Sequence, residues 1–160
     1  MDNLIIFCAK YLIFVIVSIV LLVWLKSSVK TRWQFAAAVI LAGIIAFALG
    51  KITGALYYHP RPFVTQNIQP LISHGNDNGF PSEHTLLAMA LSTVVYYYRP
   101  RLAAGLFGLT LLVGIGRVLA HVHSPVDILG GLVLGVLAGW AGYRLAKRLF
   151  APEKRLEPHT

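Results

Sequence analysis

Five apolar runs, each close to the length of a membrane-crossing helix, constrain the fold of this chain more than any other feature. They occupy about residues 4–25, 35–58, 82–98, 102–119 and 126–145. A helix of roughly 20 apolar residues crosses the hydrocarbon core of a bilayer, so five of them use about 100 residues. The chain has 160 residues, which leaves no length for a separate soluble domain. The sequence therefore predicts an all-α, polytopic membrane helix bundle of about five transmembrane helices, formed by a single domain over residues 1–160.

The composition excludes other classes of protein. Hydrophobic residues make up 57% of the chain and charged residues only 12%, whereas a soluble domain carries about 25% charged residues. Cys8 is the only cysteine, which excludes a disulfide scaffold. The apolar content excludes disorder. The first run is too long for the apolar part of a signal peptide, so we expect it to be a retained helix.

The basic residues predict how the bundle is oriented. The net charge of +8 would suggest a nucleic-acid partner in a soluble protein, but topology explains it here and we expect no nucleic acid. The first connection, the third connection and the carboxyl-terminal end lie on one side of a five-span bundle, and basic residues mark the cytoplasmic side. Those regions hold Lys26, Lys30, Arg32, Arg99, Arg101, Arg144, Lys147, Arg148, Lys154 and Arg155. The amino terminus and the second and fourth connections are then expected on the outer side.

Most of the remaining ionisable residues gather in these outward connections. They are His59, Arg61, His74, Asp77, Glu83, His84, Arg117, His121, His123 and Asp127. Ionisable residues at the ends of membrane spans are functional candidates by default. We therefore expect an active site at the outer membrane–water interface.

Two arginines and a serine in these connections suit phosphate recognition. Arg61 and Arg117 carry permanently charged planar groups that match two phosphate oxygens at once. Because Arg61 precedes Pro62, it is expected outside a helix. Ser82 follows Pro81 where a helix N-cap is expected, and a helix amino terminus offers free N–H groups to an anion. The candidate phosphate-binding residues are thus Arg61, Ser82 and Arg117.

Two histidines and a carboxylate supply the candidate catalytic groups. Ser124 and Pro125 are typical of an N-cap and a first helical residue. Asp127 then lies in the first turn, within reach of His123. A carboxylate that holds one imidazole nitrogen leaves the other free to act as base or nucleophile. With His84 as a second histidine, the set suits phosphoryl transfer without a metal.

These segments resemble the three signature motifs of the type 2 phosphatidic acid phosphatase superfamily. The family pattern is a lysine, six residues and Arg-Pro; then Pro-Ser-x-His; then Ser-Arg, five residues, His, three residues and Asp. The matching positions are Arg61-Pro62, Pro81 to His84, Arg117, His123 and Asp127. Three separate motifs in order, within about residues 50–130, make the resemblance specific.

The resemblance implies a helical bundle of the family's six-helix type, shortened here to five spans, and a reaction without metal or cofactor. It implies that His123 attacks phosphorus and forms a phosphohistidine, while Asp127 orients His123 and stabilises its charge. His84 would protonate the leaving oxygen and then activate water for the second step. The phosphate would be held by Arg61, Ser82 and Arg117.

The chain departs from the family pattern at two positions. The family lysine falls on Gly54, and the nearest lysine is Lys51. Lys51 either reaches the outer site or caps a water-filled cavity. Gly116 stands where the family has a serine before the arginine. One phosphate contact of the family pattern is missing at each of these positions.

Within the family, the pattern is most similar to small bacterial undecaprenyl-diphosphate phosphatases of the bacitracin-resistance type. The short chain, Phe63 after Arg-Pro, the acidic Glu83 in the second motif and the run through His74 and Asp77 carry this similarity. It implies hydrolysis of the terminal phosphate of undecaprenyl diphosphate, which recycles the lipid carrier for cell-wall synthesis. The implied partner is that lipid substrate, in the bacterial inner membrane with the site facing the periplasm or cell exterior. No oligomeric state is predicted.

Three alternatives stay open at this point. A phosphatidylglycerophosphate or phosphatidate phosphatase would use the same groups, because the loop 65–79 carries no readable code for a head group. A non-enzymatic anion transporter or channel subunit would bind an anion at the same place without turnover. A metal site would draw on four residues, although the His-x-His spacing is weak evidence for it. Those residues are His84, His121, His123 and Asp127.

Overall fold

The regular secondary structure of the described part of the chain consists of helices, which are joined by non-helical connections. The computed structural model describes residues 1–151, so Lys154 and Arg155 of the basic tail lie outside the described residues. Six helices form this part: α1 Asp2–Leu25, α2 Val29–Leu56, α3 Pro62–Thr65, α4 Glu83–Tyr96, α5 Pro100–Leu119 and α6 Pro125–Leu149. A π-helical turn at Phe7–Tyr11 lies within α1. The predicted all-α fold is confirmed.

Among the helices of residues 1–151, four are long and apolar enough by themselves to cross a membrane, namely α1, α2, α5 and α6; the sequence predicts about five spans. The predicted span 82–98 is represented by α4, which has 14 residues. At 1.5 Å per residue it is roughly 21 Å long, short of the roughly 30 Å hydrocarbon core. Ten of its 14 residues are buried among the other helices, so α4 faces protein more than lipid, and a fifth span at 82–98 stays a prediction. The multi-pass membrane architecture itself is confirmed.

Two other helices extend beyond the predicted spans. α2 begins at Val29 rather than at residue 35, because Ser28 caps it and the Ser28 hydroxyl accepts a hydrogen bond from Thr31 N at 3.4 Å. α6 continues past residue 145 to Leu149. Its last turn carries Lys147 and Arg148, and positive charge is favourable at a helix carboxyl end.

The helices run between two chemically different ends. At one end, the connection from α2 to α4 meets the connection from α5 to α6, where Ser82 N donates to Asp127 O at 3.0 Å. At the other end, Lys26 and Arg99 line one shallow cavity. A second cavity there is lined by Gln34, Arg144, Lys147, Arg148, Phe150 and Ala151. The basic residues thus lie at the end of the bundle opposite to the predicted site.

Glycines hold α6 against α4. A Cβ atom at Gly135 would lie 2.6 Å from Leu86 O, and one at Gly139 would lie 2.6 Å from Ala90 O. Only glycine permits so close an approach of one helix to the backbone of another, the usual role of small residues spaced four apart in membranes. This packing sets the amino termini of α4 and α6 side by side.

Asn78 fixes the polar segment between α2 and α4. Its Oδ1 accepts hydrogen bonds from His59 N at 2.9 Å and Phe80 N at 3.0 Å. Its Nδ2 donates to Gly54 O at 2.7 Å and Tyr57 O at 2.8 Å. One side chain therefore joins the end of α2 to the turn that leads into α4.

Candidate active site

The three sequence segments meet around one cavity of about 320 Å³. Its walls come from the end of α2, the segment before α4, the first turn of α4 and the connection from α5 to α6. Four of the six predicted site residues line it: Arg61, His84, Arg117 and His123. Asp127 contacts His123 from behind the cavity, and Ser82 lies in the adjoining helix start. The structure thus brings the predicted residues together, while their chemical roles stay predictions.

His123 presents one ring nitrogen to the cavity. Its side chain is almost fully buried, and Nδ1 lies 3.5 Å from Asp127 Oδ2. Arg117 Nη2 donates to Nε2 at 3.1 Å, which requires the lone pair on Nε2 and the proton on Nδ1. Burial lowers the pKa of His123 to about 4; Asp127 opposes this effect and the charge of Arg117 adds to it. The ring is therefore neutral at pH 7, and Nε2 is available as a nucleophile.

Asp127 is a fully buried carboxylate fixed by the start of α6. Its Oδ2 accepts from Ser124 N at 2.7 Å, and the Ser124 hydroxyl accepts from Asp127 N at 3.4 Å. This reciprocal pair is a capping box, so the predicted N-cap at Ser124 is confirmed. The other oxygen, Oδ1, lies 2.8 Å from His59 Nδ1. The contacts that begin the helix thus also hold the carboxylate behind His123.

Arg61 is rigidly held, and its donors are largely taken by the protein. Its Nε donates to Asp77 Oδ1 at 2.9 Å, Nη1 to Val122 O at 2.8 Å and Nη2 to Asn78 O at 3.1 Å. Nη1 also lies 3.3 Å from His123 Nε2. Arg61 therefore places a fixed positive charge beside the nucleophilic nitrogen.

Arg117 keeps a donor free. Its Nη1 donates to Ala9 O at 3.3 Å, and Nη2 donates to His123. Within residues 1–151, the buried Nε has no hydrogen-bond partner. Since buried donors are normally satisfied, this group marks a place for an oxygen acceptor such as a phosphate oxygen.

Ser82 and His84 occupy the first turn of α4 with different surroundings. Ser82 is the N-cap, as its position after proline predicts. However, its buried hydroxyl lies 3.1 Å from Thr85 Oγ1, and Ser82 is not among the described residues that line the cavity. Its contact with phosphate stays a prediction. His84 is half-buried and does line the cavity.

Two further polar residues of the site lie outside the three motifs. The ring of His74 packs edge-on against that of His123, with 6.0 Å between the centroids. Burial and the charges of Arg61 and Arg117 lower the pKa of His74. Burial raises the pKa of Asp77, but the hydrogen bond and the charge from Arg61 outweigh it, so that pKa is lowered overall. In the sequence, both residues are marked by their place in the outward cluster and by the run that resembles the bacitracin-resistance type.

His59 is a third residue that the sequence reasoning did not place in the site. Its ring lies against Asp127 and stacks with Tyr57 at 5.9 Å. We expect His59→Ala to lower kcat by about 10-fold with little change in KM, because a hydrogen bond to a buried carboxylate is lost and Asp127 then orients His123 less well. Steady-state kinetics on the purified variant measures this.

His121→Asn is the control for His59→Ala. His121 is exposed and has a φ of 62°, a conformation that asparagine tolerates. Replacement of His121 should leave kcat unchanged, and His59→Asn, whose amide N–H can take the place of Nδ1–H, should recover most of the lost rate. Equal rates in His59→Ala and His121→Asn would contradict the role of His59.

The comparison with known families decides the classification. The sequence pattern of the PAP2 superfamily matches residues 31–151. The chain belongs to the PAP2 superfamily. The resemblance seen in the motifs is therefore confirmed, and so is the predicted class of enzyme, a membrane lipid phosphatase.

Individual PAP2 relatives and a solved structure agree with this assignment. The chain is 32% identical over 149 residues to undecaprenyl-diphosphatase BcrC of Bacillus subtilis (strain 168), covering 93% of this chain and 77% of that protein. It is 34% identical over 144 residues to the bacitracin transport permease protein BcrC of Bacillus licheniformis, covering 89% and 70%. The crystal structure of Aquifex aeolicus LpxE has a TM-score of 0.64 at 22% identity, covering 89% of this chain and 82% of that chain. The last comparison shows the fold alone.

The PAP2 serine before the third-motif arginine is absent because α1 packs there. A Cβ atom at Gly116 would lie 2.8 Å from both Ala9 N and Cys8 Cβ. These two residues belong to the π-helical turn of α1, and Ala9 also supplies the carbonyl that binds Arg117. This helix lies before the region matched by the family pattern, yet it contributes a contact to the site.

We expect Gly116→Ser to destabilise the protein even though it restores the family residue. The added atoms would overlap the backbone of α1, and overpacking costs about 1 to 3 kcal/mol. The apparent melting temperature in detergent should fall by about 3 to 10 °C, with a loss of activity as Arg117 is displaced. Gly108→Ser is the control on the same helix, since a Cβ there has nothing within 4 Å. Equal melting temperatures for both variants would contradict this explanation.

The metal alternative gains no support from the geometry. Among the residues that the structure describes, no group of three or more His, Cys, Asp or Glu side chains is placed to hold a metal ion. His121, which the His-x-His spacing suggested as a ligand, is exposed and is not one of the residues around the cavity.

Proposed function

We propose that this chain hydrolyses the terminal phosphate of a polyprenyl diphosphate through a phosphohistidine on His123. The observation that carries the proposal is the environment of His123 Nε2: it faces two guanidinium groups while a buried carboxylate lies behind the ring. Two relatives at 32% and 34% identity bear names that refer to undecaprenyl diphosphate or bacitracin, which supports the choice of lipid. Such an activity would recycle the lipid carrier of cell-wall synthesis.

In the first step, the lone pair of His123 Nε2 attacks the terminal phosphorus. The bond from phosphorus to the bridging oxygen breaks, its electron pair stays on that oxygen, and protonated His84 gives its proton to the leaving lipid phosphate. The positive charge that develops on the His123 ring is stabilised by Asp127 through Nδ1–H. Arg61 and Arg117 stabilise the negative charge on the equatorial oxygens.

In the second step, water replaces the histidine. Neutral His84 removes a proton from a water molecule as the water oxygen attacks phosphorus. The phosphorus–nitrogen bond breaks and its electron pair returns to Nε2. Orthophosphate leaves, and both His123 and His84 regain their starting states, so the residues of the chain close the cycle.

Arg61 and Arg117 differ in how many of their N–H donors are already bound to the protein, which supports different roles for the two residues. Arg61 is bound to Asp77, Val122 and Asn78, so it contributes charge more than new hydrogen bonds. Arg117 has a free, buried Nε, which favours it as the principal ligand of the phosphoryl oxygens.

A substrate panel tests the proposed function. Purified protein in detergent with EDTA is given undecaprenyl diphosphate, phosphatidylglycerophosphate or phosphatidate at equal concentrations, and released phosphate is measured. We expect fastest release from the diphosphate, unaffected by the chelator and inhibited by vanadate, which adopts the five-coordinate shape of the transition state. Faster release from either phospholipid would favour the alternative lipid phosphatases, and no release from any of them would favour the transporter alternative.

We further propose that the site faces the outside of the bacterial inner membrane. The supporting observation is that five basic residues lie at the opposite end of the bundle, and an excess of basic residues is typical of the cytoplasmic side. They are Lys26, Arg99, Arg144, Lys147 and Arg148. Asn76 is exposed beside the cavity. With Cys8 replaced first, a cysteine at Asn76 (Asn76→Cys) should react with an impermeant thiol reagent in intact cells. Labelling only after lysis would show that the site faces the cytoplasm instead.

A further inference from the structure

We propose that Lys51 and Glu83 form a second phosphate subsite, which binds the phosphate that remains on the lipid. This inference rests on the proposed function, because it concerns a substrate with two phosphates. It assigns a role to the lysine that lies off the family position. It also predicts a preference for a diphosphate over a monophosphate lipid.

The two residues form an ion pair at the mouth of the catalytic cavity. Lys51 Nζ donates to Glu83 Oε1 at 3.0 Å, and the side chains are 61% and 70% exposed. Both line the same cavity as Arg61, Arg117 and His123. An exposed ion pair contributes little to stability, so Lys51 can exchange the carboxylate for a phosphate oxygen at low cost.

The backbone explains why the lysine is displaced from the family position. A Cβ atom at Gly54 would lie 3.0 Å from Phe80 O, and Asn78 Nδ2 donates to Gly54 O. The turn before α4 thus packs directly on α2 at this point and leaves no space for a long side chain. Lys51 lies three residues earlier, on the same face of the helix and about 4.5 Å nearer the middle of the bundle.

An apolar groove continues from this ion pair in the direction of the membrane. A second cavity of about 320 Å³ lies between α2 and α4 and shares Gly50 and Glu83 with the catalytic cavity. Its remaining lining residues are apolar or glycine: Gly43, Ala46, Phe47, Leu86 and Leu87. The ion pair therefore lies between the arginines, which suit the terminal phosphate, and a groove that suits a hydrocarbon chain. The phosphate that joins the two parts of the substrate belongs at this position.

The chemistry of the pair favours a diphosphate. A lysine ammonium is a compact charge with three donors and binds a phosphate oxygen without fixed geometry. Glu83 holds the ammonium in place until substrate arrives. A lipid monophosphate has only one phosphate, which the arginines bind, so it offers no second anion to Lys51. Lys51 therefore contributes to the binding of the diphosphate and not to that of the monophosphate.

Paired substrates with the same tail test the subsite. Wild type, Lys51→Met and Lys51→Arg are assayed on farnesyl diphosphate and farnesyl monophosphate, and Lys147→Met at the opposite end of the bundle serves as the control. We expect Lys51→Met to lower kcat/KM for the diphosphate by about 10- to 100-fold, the scale of a charge-assisted hydrogen bond. The monophosphate should change by less than about 3-fold, and Lys51→Arg should keep most of the preference. Equal loss on both substrates, or no loss on either, would overturn the subsite.

A binding measurement separates this inference from the proposed function. Thermal stabilisation of the detergent-solubilised protein is measured with methylenediphosphonate and with orthophosphate. We expect the diphosphonate to stabilise wild type more strongly, and Lys51→Met to remove the difference. If wild type gives that result but does not hydrolyse farnesyl diphosphate, the proposed function fails while the subsite stands. If the difference persists in Lys51→Met, the subsite is refuted whatever the turnover.

Discussion

His123→Ala should lower phosphate release by at least roughly two to three orders of magnitude, the scale of a lost nucleophile or its base. The imidazole is the only group that the structure places between both guanidinium groups and the buried carboxylate within residues 1–151. Without the imidazole, Arg61 and Arg117 still bind the phosphate, but no nucleophile lies next to the phosphorus atom. The measurement is the initial rate of phosphate release by purified protein at saturating substrate, with EDTA present.

His121→Asn is the control for this loss, because His121 lies two residues away, is exposed and has a backbone conformation that asparagine tolerates. It should retain the wild-type rate. Both variants should elute from size exclusion as wild type does, which separates a chemical loss from a folding defect. Near-wild-type turnover by His123→Ala in a folded sample would exclude His123 as the nucleophile.

His84→Asn should lower steady-state turnover by about 10²- to 10⁴-fold, the usual contribution of a positioned acid and base. The loss should depend on the leaving group. With p-nitrophenyl phosphate, whose leaving group needs no proton, the first step should survive while attack by water on the phosphoenzyme is slow. We expect a burst of nitrophenol close to one equivalent per enzyme, followed by a slow steady rate.

His74→Asn controls for a general effect of removing a histidine from the cavity wall. His74 lines the same cavity and contacts the ring of His123, but it has no proton-transfer role in the mechanism. It should show no burst. A burst in His74→Asn but not in His84→Asn would show that His74, rather than His84, is the acid and base.

The sequence was sufficient to find most of the charged residues of the cavity because charged residues are so rare in this chain. In an apolar chain, an arginine or histidine at a span end has few reasons to be there other than function. Arg61, His84, Arg117 and His123 were found in this way, and all four line one cavity. Ser124 was recognisable as an N-cap because capping is encoded by adjacent residues, and the capping box is what fixes Asp127.

Contacts between residues that are far apart in the chain could not be predicted from the sequence. His59 and Asp127 are 68 positions apart in the chain. No local sequence pattern predicts that a histidine next to a proline will contact a buried carboxylate. Ala9 acts through its carbonyl, a group that every residue has, so its bond to Arg117 depends on the π-helical turn of α1. These contacts follow from packing, which periodicity and motif spacing do not describe.

The count of spans and the role of Ser82 show the same limit. The apolar residues of α4 predict a membrane span, but burial among other helices requires the same residue types as contact with lipid, so the sequence alone does not separate the two environments. Ser82 was correctly placed at a helix start, yet the choice of its hydroxyl between a phosphate, a backbone N–H and Thr85 depends on a neighbour one turn away. The sequence correctly predicted where Ser82 lies in its helix, but it did not predict which group its side chain contacts.

The central claim is that a phosphoryl group is transferred to His123, and its direct test is to find that group. His84→Asn, in which the intermediate should accumulate, is mixed with p-nitrophenyl phosphate, quenched under alkaline conditions, digested and analysed by mass spectrometry. We predict one phosphoryl group per chain, on the peptide that contains His123 and on its imidazole, and none when His123→Ala is combined with His84→Asn. A phosphoryl group on any other residue, or a burst of nitrophenol without a phosphorylated peptide, would contradict the mechanism.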